Sequence, residues 1–185
     1  MTIAQHPDIQ VPCNEDNFSQ TAHFTLLPHT SESWLTFHVN TESSTLLTET
    51  LSIEFQNPKG TTPAGLAVKQ FAELVVTLDQ SVADEWVFYG NGVEYCGAGS
   101  NCQYNISTSI DASGKVLTLK VTDVGATYAF AGVDTGNLDK VIEVTQGEDT
   151  AYLPISFRYV AKHNSGQIYM SQDPKIVVRR PGNTL

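Results

Sequence analysis

Apolar and polar residues alternate with a period of two along most of the chain, most clearly toward the C-terminus. There Leu153, Ile155, Phe157, Tyr159 and Ala161 interleave with Tyr152, Ser156, Arg158 and Lys162, as in a strand with one face in a core and one in water. Asn164, Ser165 and Gly166 reverse the chain, glycine supplying the positive φ that short hairpin loops require. Ile168 and Met170 are then predicted to resume the inward face. Pro174 ends this return arm. The residue before a proline is held extended, so Asp173 should lead into a further strand with Ile176 and Val178 inward and Lys175 and Arg179 outward. Pro154 cannot donate to a ladder, so its arm is predicted to lie at a sheet edge or to bulge there.

Upstream, residues 1–19 carry Pro7, Pro12 and the polar run Asn14, Glu15, Asp16, Asn17 without periodicity, and read as an extended N-terminal arm or loop. From His23 onward strands dominate. Phe24 and Leu26, then Leu35, Phe37 and Val39 after Trp34, then Leu47, Leu51, Ile53 and Phe55 form apolar faces between turn-rich segments. Helix and strand compete over Ala64–Leu78. Val75, Val76 and Thr77 favour a strand from Phe71 onward. Trp86, Val87, Phe88 and Tyr89 follow as an aromatic strand, with Trp86 and Phe88 on one face and Val87 and Tyr89 on the other. The glycine-rich stretch Gly90–Cys102 reads as a loop. Asp111, Ala112, Ser113 and Gly114 mark a second hairpin turn between Tyr104, Ile106 and Leu117, Leu119, Val121. Thr127–Ala131 and Lys140–Val144 add two more strands. About ten short strands without strong helices predict an all-β sandwich over residues 20–182.

Composition changes this picture little. Hydrophobic residues make up 41% of the 185, enough for a self-sufficient core, and no apolar run approaches the roughly 18 residues of a membrane helix. No membrane partner is expected. The N-terminus lacks the basic and apolar regions of a secretory signal. That favours a cytoplasmic protein, an exported chain with its signal removed being the alternative. Charge is more telling. Residues 1–150 carry nineteen acids against five bases (net −14), and residues 151–185 carry one acid against five bases (net +4). An acidic body repels a phosphate backbone, which argues against nucleic acid. The opposed signs could favour head-to-tail self-association, a solvated acidic surface being the simpler reading.

Candidate chemistry is sparse. Cys96 and Cys102 bracket the glycine-rich loop closely enough to form a disulfide, a closure that stabilises by about 2–3 kcal/mol, and reduced thiols are the alternative. Cys13 with scattered histidines makes a poor zinc set. His23 and His38 fall on the polar sides of adjacent predicted strands and could face each other. Asp134–Asp139 alternates oxygen donors around Gly136 and could ligate Ca²⁺. It lacks the terminal acid of an EF-hand and reads more simply as a turn. No nucleophile elbow, phosphate loop or dinucleotide fingerprint is present. The expectation is a non-enzymatic protein with no cofactor and no resident metal. Trp86, Tyr89, Asn91 and Asn101 are the candidate ligand surface, since an aromatic ring beside small polar loop residues can form a platform for a sugar.

The C-terminal residues Phe157, Arg158 and Tyr159, then Gly166, Tyr169 and Ser171, then Asp173, Pro174 and Ile176, and finally Arg180 and Pro181 resemble the closing hairpin of the DP-EP family of uncharacterised bacterial proteins. That resemblance implies an immunoglobulin-like antiparallel β-sandwich and brings no catalytic residue or cofactor with it. A structural or protein-interaction module, associating with itself or with a protein partner, is the expected role. A carbohydrate-binding module is the alternative.

Overall fold

The structure is a computed structural model. It describes residues 9–40, 43–47, 51–57, 69–95, 105–122, 153–172 and 175–179, with 105, 153–155, 175, 177 and 179 described by backbone alone. Twelve strands occupy these residues: β1 (Ile9–Val11), β2 (Ser19–Leu27), β3 (Leu35–Val39), β4 (Ser44–Leu46), β5 (Leu51–Phe55), β6 (Phe71–Leu78), β7 (Trp86–Tyr95), β8 (Asn105–Ile110), β9 (Val116–Thr122), β10 (Leu153–His163), β11 (Ile168–Met170) and β12 (Lys175–Arg179). The all-β expectation holds. The predicted strands at Thr127–Ala131 and Lys140–Val144 lie outside the described residues, as do Tyr104 and any turn before Lys69.

One sheet runs β1-β5-β12-β10-β11, with β7 on the other side of β10, and the second runs β4-β3-β2-β6-β9-β8. The expected antiparallel order needs correction. β1 runs parallel to β5, β12 parallel to β5, and β2 parallel to β6, so both sheets are mixed. Parallel neighbours need long crossovers, and alternation along a strand carries no information about its neighbour's direction. The N-terminal arm is also corrected in part. Ile9 and Val11 are buried at 3% and 0% exposure, so β1 belongs to the core.

The two sheets share that core. Ala22, Phe24 and Leu26 of β2, Leu74 and Val76 of β6, and Leu117, Leu119 and Val121 of β9 pack with Ile53 and Phe55 of β5, Phe157 and Tyr159 of β10, and Ile176 and Val178 of β12. Full burial of one such side chain stabilises by about 1.5–3 kcal/mol. Gln70 joins the N-terminal strand to this body. Wholly buried, it donates its amide to the carbonyls of Val11, Pro12 and Gln56 at 3.2, 2.8 and 3.1 Å, satisfying acceptors that would otherwise be desolvated.

Strand phase differs from expectation in two places. Trp34 is buried, its indole Nε1 donating to His29 O at 2.7 Å, while its backbone is clipped by the Gln172 side chain at 2.9 and 2.6 Å. With Trp34 inward, alternation turns Thr36 and His38 inward too. His38 stacks on Phe24 with ring centroids 5.1 Å apart, and Thr36 hydrogen-bonds the Tyr159 side chain. Leu35, Phe37 and Val39 therefore lie on the outer face. His23 pairs with Val39 and Phe24 with His38, so the two histidines take opposite faces and do not meet. In the terminal hairpin, Lys162 pairs with Ile168 and Val160 with Met170. The loop's length thus places Tyr169, not Ile168 or Met170, on the core side.

Gly92 is packed directly against Leu117 of the other sheet. Its φ is +78°, and a Cβ there would sit 2.5 Å from Leu117 Cδ1. Gly90 has φ of +62° but nothing within 4 Å of such a Cβ. Gly90→Ala should therefore cost about 1 kcal/mol through conformation alone. Gly92→Ala should cost about 2–3, because Leu117 must also move. Urea denaturation of the two variants measures the difference; equal losses would show that the Leu117 contact is not what requires Gly92.

Candidate functional site

β7 and β10 are in register at Ala161 with Phe88 and again at Tyr159 with Val93. Tyr89, Gly90, Asn91 and Gly92 therefore stand opposite Val160 alone. This four-residue bulge is possible because both glycines take positive φ, and it leaves Tyr89 and Asn91 exposed while carrying Gly92 in against Leu117. The stretch expected as loop from Gly90 is thus a bulged strand as far as Tyr95. Beyond it, Cys96, Asn101 and Cys102 lie outside the described residues, as does Asp134–Asp139.

The bulge shapes the outer face of its sheet. Directly opposed residues point to the same side, so Val87, Lys162 and Ile168 form one row, and Val160 with Met170 the next. Tyr89, next to the buried Phe88, is left outward. Tyr89 is 46% exposed, Ile168 47% and Met170 54%. Arg158 and Glu94, both exposed, oppose each other at the margin of this surface. The other large exposed apolar residues among those described are Leu35 at 38% and Leu46 at 41%. They lie on the outer face of the second sheet, opposite Leu27 and Phe37 respectively. Every large exposed apolar side chain described thus belongs to one of two patches, one on the back of each sheet.

Of the predicted ligand surface, the structure brings Tyr89 and Asn91 together on the bulge and removes Trp86. That side chain is 3% exposed. It lies 5.6 Å from Trp34, 4.9 Å from His163 and 5.4 Å from Tyr169, centroid to centroid. His163 Nε2 stands 3.7 Å from Glu85 Oε2 at the rim of this cluster. Sequence reasoning missed Ile168 and Met170 as surface residues. The parity of the hairpin loop was the signal that could have found them.

The β8–β9 turn buttresses β7 just before the bulge. Phe88 N–H donates to Gly114 O at 2.8 Å, and the Lys115 ammonium donates to the carbonyls of Trp86, at 2.7 Å, and Ala83. Asp111 organises the turn. Its Oδ2 accepts from the Ser113 hydroxyl at 2.6 Å, and its Oδ1 from the backbone N–H groups of Lys115 and Val116 at 2.9 Å. These donors, the Ser113 hydroxyl foremost, hold its carboxyl down at about 2, against an ordinary value near 3.8.

Between the sheets, Phe24, Leu51, Leu74, Phe157 and the Thr36–Tyr159 pair border a void of about 20 Å³, room for about one water and too small for an organic ligand. Burial pushes the Tyr159 phenol well above its usual range. Among the described residues, no three His, Cys, Asp or Glu side chains gather as a metal site. No described helix is long and apolar enough to cross a membrane, which leaves β-barrel spans unaddressed. No protein-family model matches the chain, and no curated protein matches it.

Two measurements follow from this geometry. With both tryptophans at 3% exposure, intrinsic fluorescence should be blue-shifted and weakly quenched by acrylamide; strong quenching would place an indole at the surface. Asp111 titrates lower when folded than when unfolded, so its stabilising contribution is complete above about pH 4 and is lost as pH falls toward 2. The stability gap between wild type and Asp111→Asn should therefore narrow across that window, as read by denaturant midpoints at successive pH values.

Proposed function

We propose that this chain is a non-enzymatic β-sandwich module that works by self-association or protein interaction, through the back of the β7-β10-β11 sheet. The observation that carries this reading is the exposure of Tyr89 on β7 and of Ile168 and Met170 on β11, each about half exposed on the back of one sheet with β10 between them. Contiguous exposed apolar surface marks an interaction site more often than scattered single residues do. Arg158 and Lys162, both exposed on the same face, add charges that a partner can read. The scaffold is taken as immunoglobulin-like, following the C-terminal resemblance to the DP-EP family, with the parallel pairings of β1, β5 and β12 and of β2 and β6 as departures from a purely antiparallel form.

A second reading, carbohydrate binding, rests on the exposed Tyr89 ring beside Asn91. The burial of Trp86 takes away half of the expected platform, and a single tyrosine is a small one. Glycan-array hits abolished by Tyr89→Ala would favour this reading over the first.

Multi-angle light scattering tests the proposed role directly. At high concentration and low salt the mass should exceed that of one chain, and Met170→Glu, at an exposed position, should return it to monomer with an unchanged far-ultraviolet spectrum. A wild-type chain that stays strictly monomeric under those conditions would overturn the self-association reading.

A further inference from the structure

The two apolar patches differ in their charged surroundings, and this points to how copies of the chain would meet. The patch on the back of the β10 sheet is bordered by Lys162 and, at its margin, by Arg158 opposite Glu94. The patch on the back of the β2 sheet, made by Leu35 and Leu46 with the half-buried Leu27, Phe37 and Val39 around them, is approached by acids at one end. Glu32 precedes the buried Trp34 in the loop leading to Leu35, and Asp79 is tied to β2 by its N–H donating to Leu26 O at 2.8 Å. Building on the self-association reading, we propose that the back of the β10 sheet of one copy docks on the back of the β2 sheet of the next, so that copies stack head to tail.

Two arguments favour this arrangement over a symmetric pair. Pairing like patches would bring Lys162 against its own counterpart, or Glu32 and Asp79 against theirs, and such like-charge contacts disfavour an interface. Pairing unlike patches sets cations against acids and apolar surface against apolar surface. The Asp79 carboxyl is held ionised by the Ser81 hydroxyl and backbone N–H at 2.5 and 2.9 Å, so this end keeps its negative charge into mild acid. The two patches also lie on opposite sides of the sandwich, because the sheets turn their other faces to a shared core. A contact between opposite sides is heterologous and leaves a free patch at each end, so it extends instead of closing into a dimer.

One-sided variants test this. Ile168→Glu with Met170→Glu blocks the β10-sheet patch and leaves the other intact. Leu35→Gln with Leu46→Gln does the reverse, without adding a charge that could pair with the new glutamates. All four positions are exposed, and circular dichroism with urea midpoints confirms that both variants remain folded. By light scattering, the mass of wild type should rise with concentration without a plateau. Each variant alone should be monomeric, and an equimolar mixture should form a dimer and nothing larger, since only one intact contact can be made. A variant that dimerises by itself would reveal a symmetric interface and overturn the head-to-tail arrangement, as would a mixture that stays monomeric while wild type associates. A monomeric wild type would instead remove the self-association reading, and this inference with it.

Discussion

Strand β10 must be satisfied along both edges while its return arm breaks in the middle, and the rest of the structure follows from how that is resolved. Between β11 and β12 the chain leaves the ladder at Ser171. Its N–H still donates to Tyr159 O at 3.0 Å, but its own carbonyl turns away and accepts from Arg158 Nη1 at 3.2 Å. The Tyr159 N–H would be left without an acceptor in the core. The Ser171 hydroxyl oxygen accepts from it at 2.9 Å, and the hydroxyl donates in turn to Gln172 O at 2.7 Å. Ser171 is 2% exposed. An unmet N–H at such depth costs about 1–3 kcal/mol, so one hydroxyl lets the return arm leave β11 and continue as β12 without opening the core.

The same stretch of β10 carries the bulge on its other edge. Val160, next to the substituted ladder position, faces the four-residue excursion of β7. The two irregularities lie on either side of one residue pair, Tyr159 and Val160, while Phe157, Tyr159 and Ala161 all remain buried. Inner packing is kept, and the distortion appears on the back of the sheet, where Tyr89, Asn91 and Met170 are displayed. The site is therefore a consequence of holding the core together across a broken hairpin. The turn at Asp111–Gly114 and the Lys115 clamp fix the start of β7, so the excursion begins at Tyr89 from a supported strand.

Most of the strand framework could be read from alternation. β5, β6 and β9 bury the residues that period two selects, as the terminal hairpin's first arm does at Phe157, Tyr159 and Ala161, and the Asp111–Gly114 turn is where its glycine and aspartate put it. What alternation gives is a period. Phase has to come from something else. In β3 the apolar set Leu35, Phe37 and Val39 loses the inward face because a neighbouring indole, Trp34, claims it, and Thr36 and His38 find partners inside that make their burial tolerable. In β11 the turn at residues 164–167 decides parity, and Tyr169 packs on Trp86 in place of its more apolar neighbours. Parallel pairing was not legible at all, since it depends on crossovers whose paths leave no local trace. Of the candidate site, Tyr89 and Asn91 were legible as an aromatic residue beside glycines. Ile168 and Met170 were not, because their exposure is set by the loop that precedes them.

These inversions of phase account for the surface as well as the core. A sheet whose apolar residues all faced inward would leave polar backs and little for a partner to hold. Here two large aromatic anchors, Trp34 on one sheet and Tyr169 on the other, take inward positions and push Leu35, Ile168 and Met170 out. Burying each aromatic removes more apolar area from water than burying the neighbouring aliphatic residue would. The exchange therefore favours the folded monomer while leaving exposed apolar surface on both backs. An overall charge of −10 opposes indiscriminate contact between copies. In the head-to-tail stacking proposed above, that opposition would be weakest where the cationic end of one back meets the acidic end of the other, so the charge that keeps copies apart in most orientations would also select the one in which they meet.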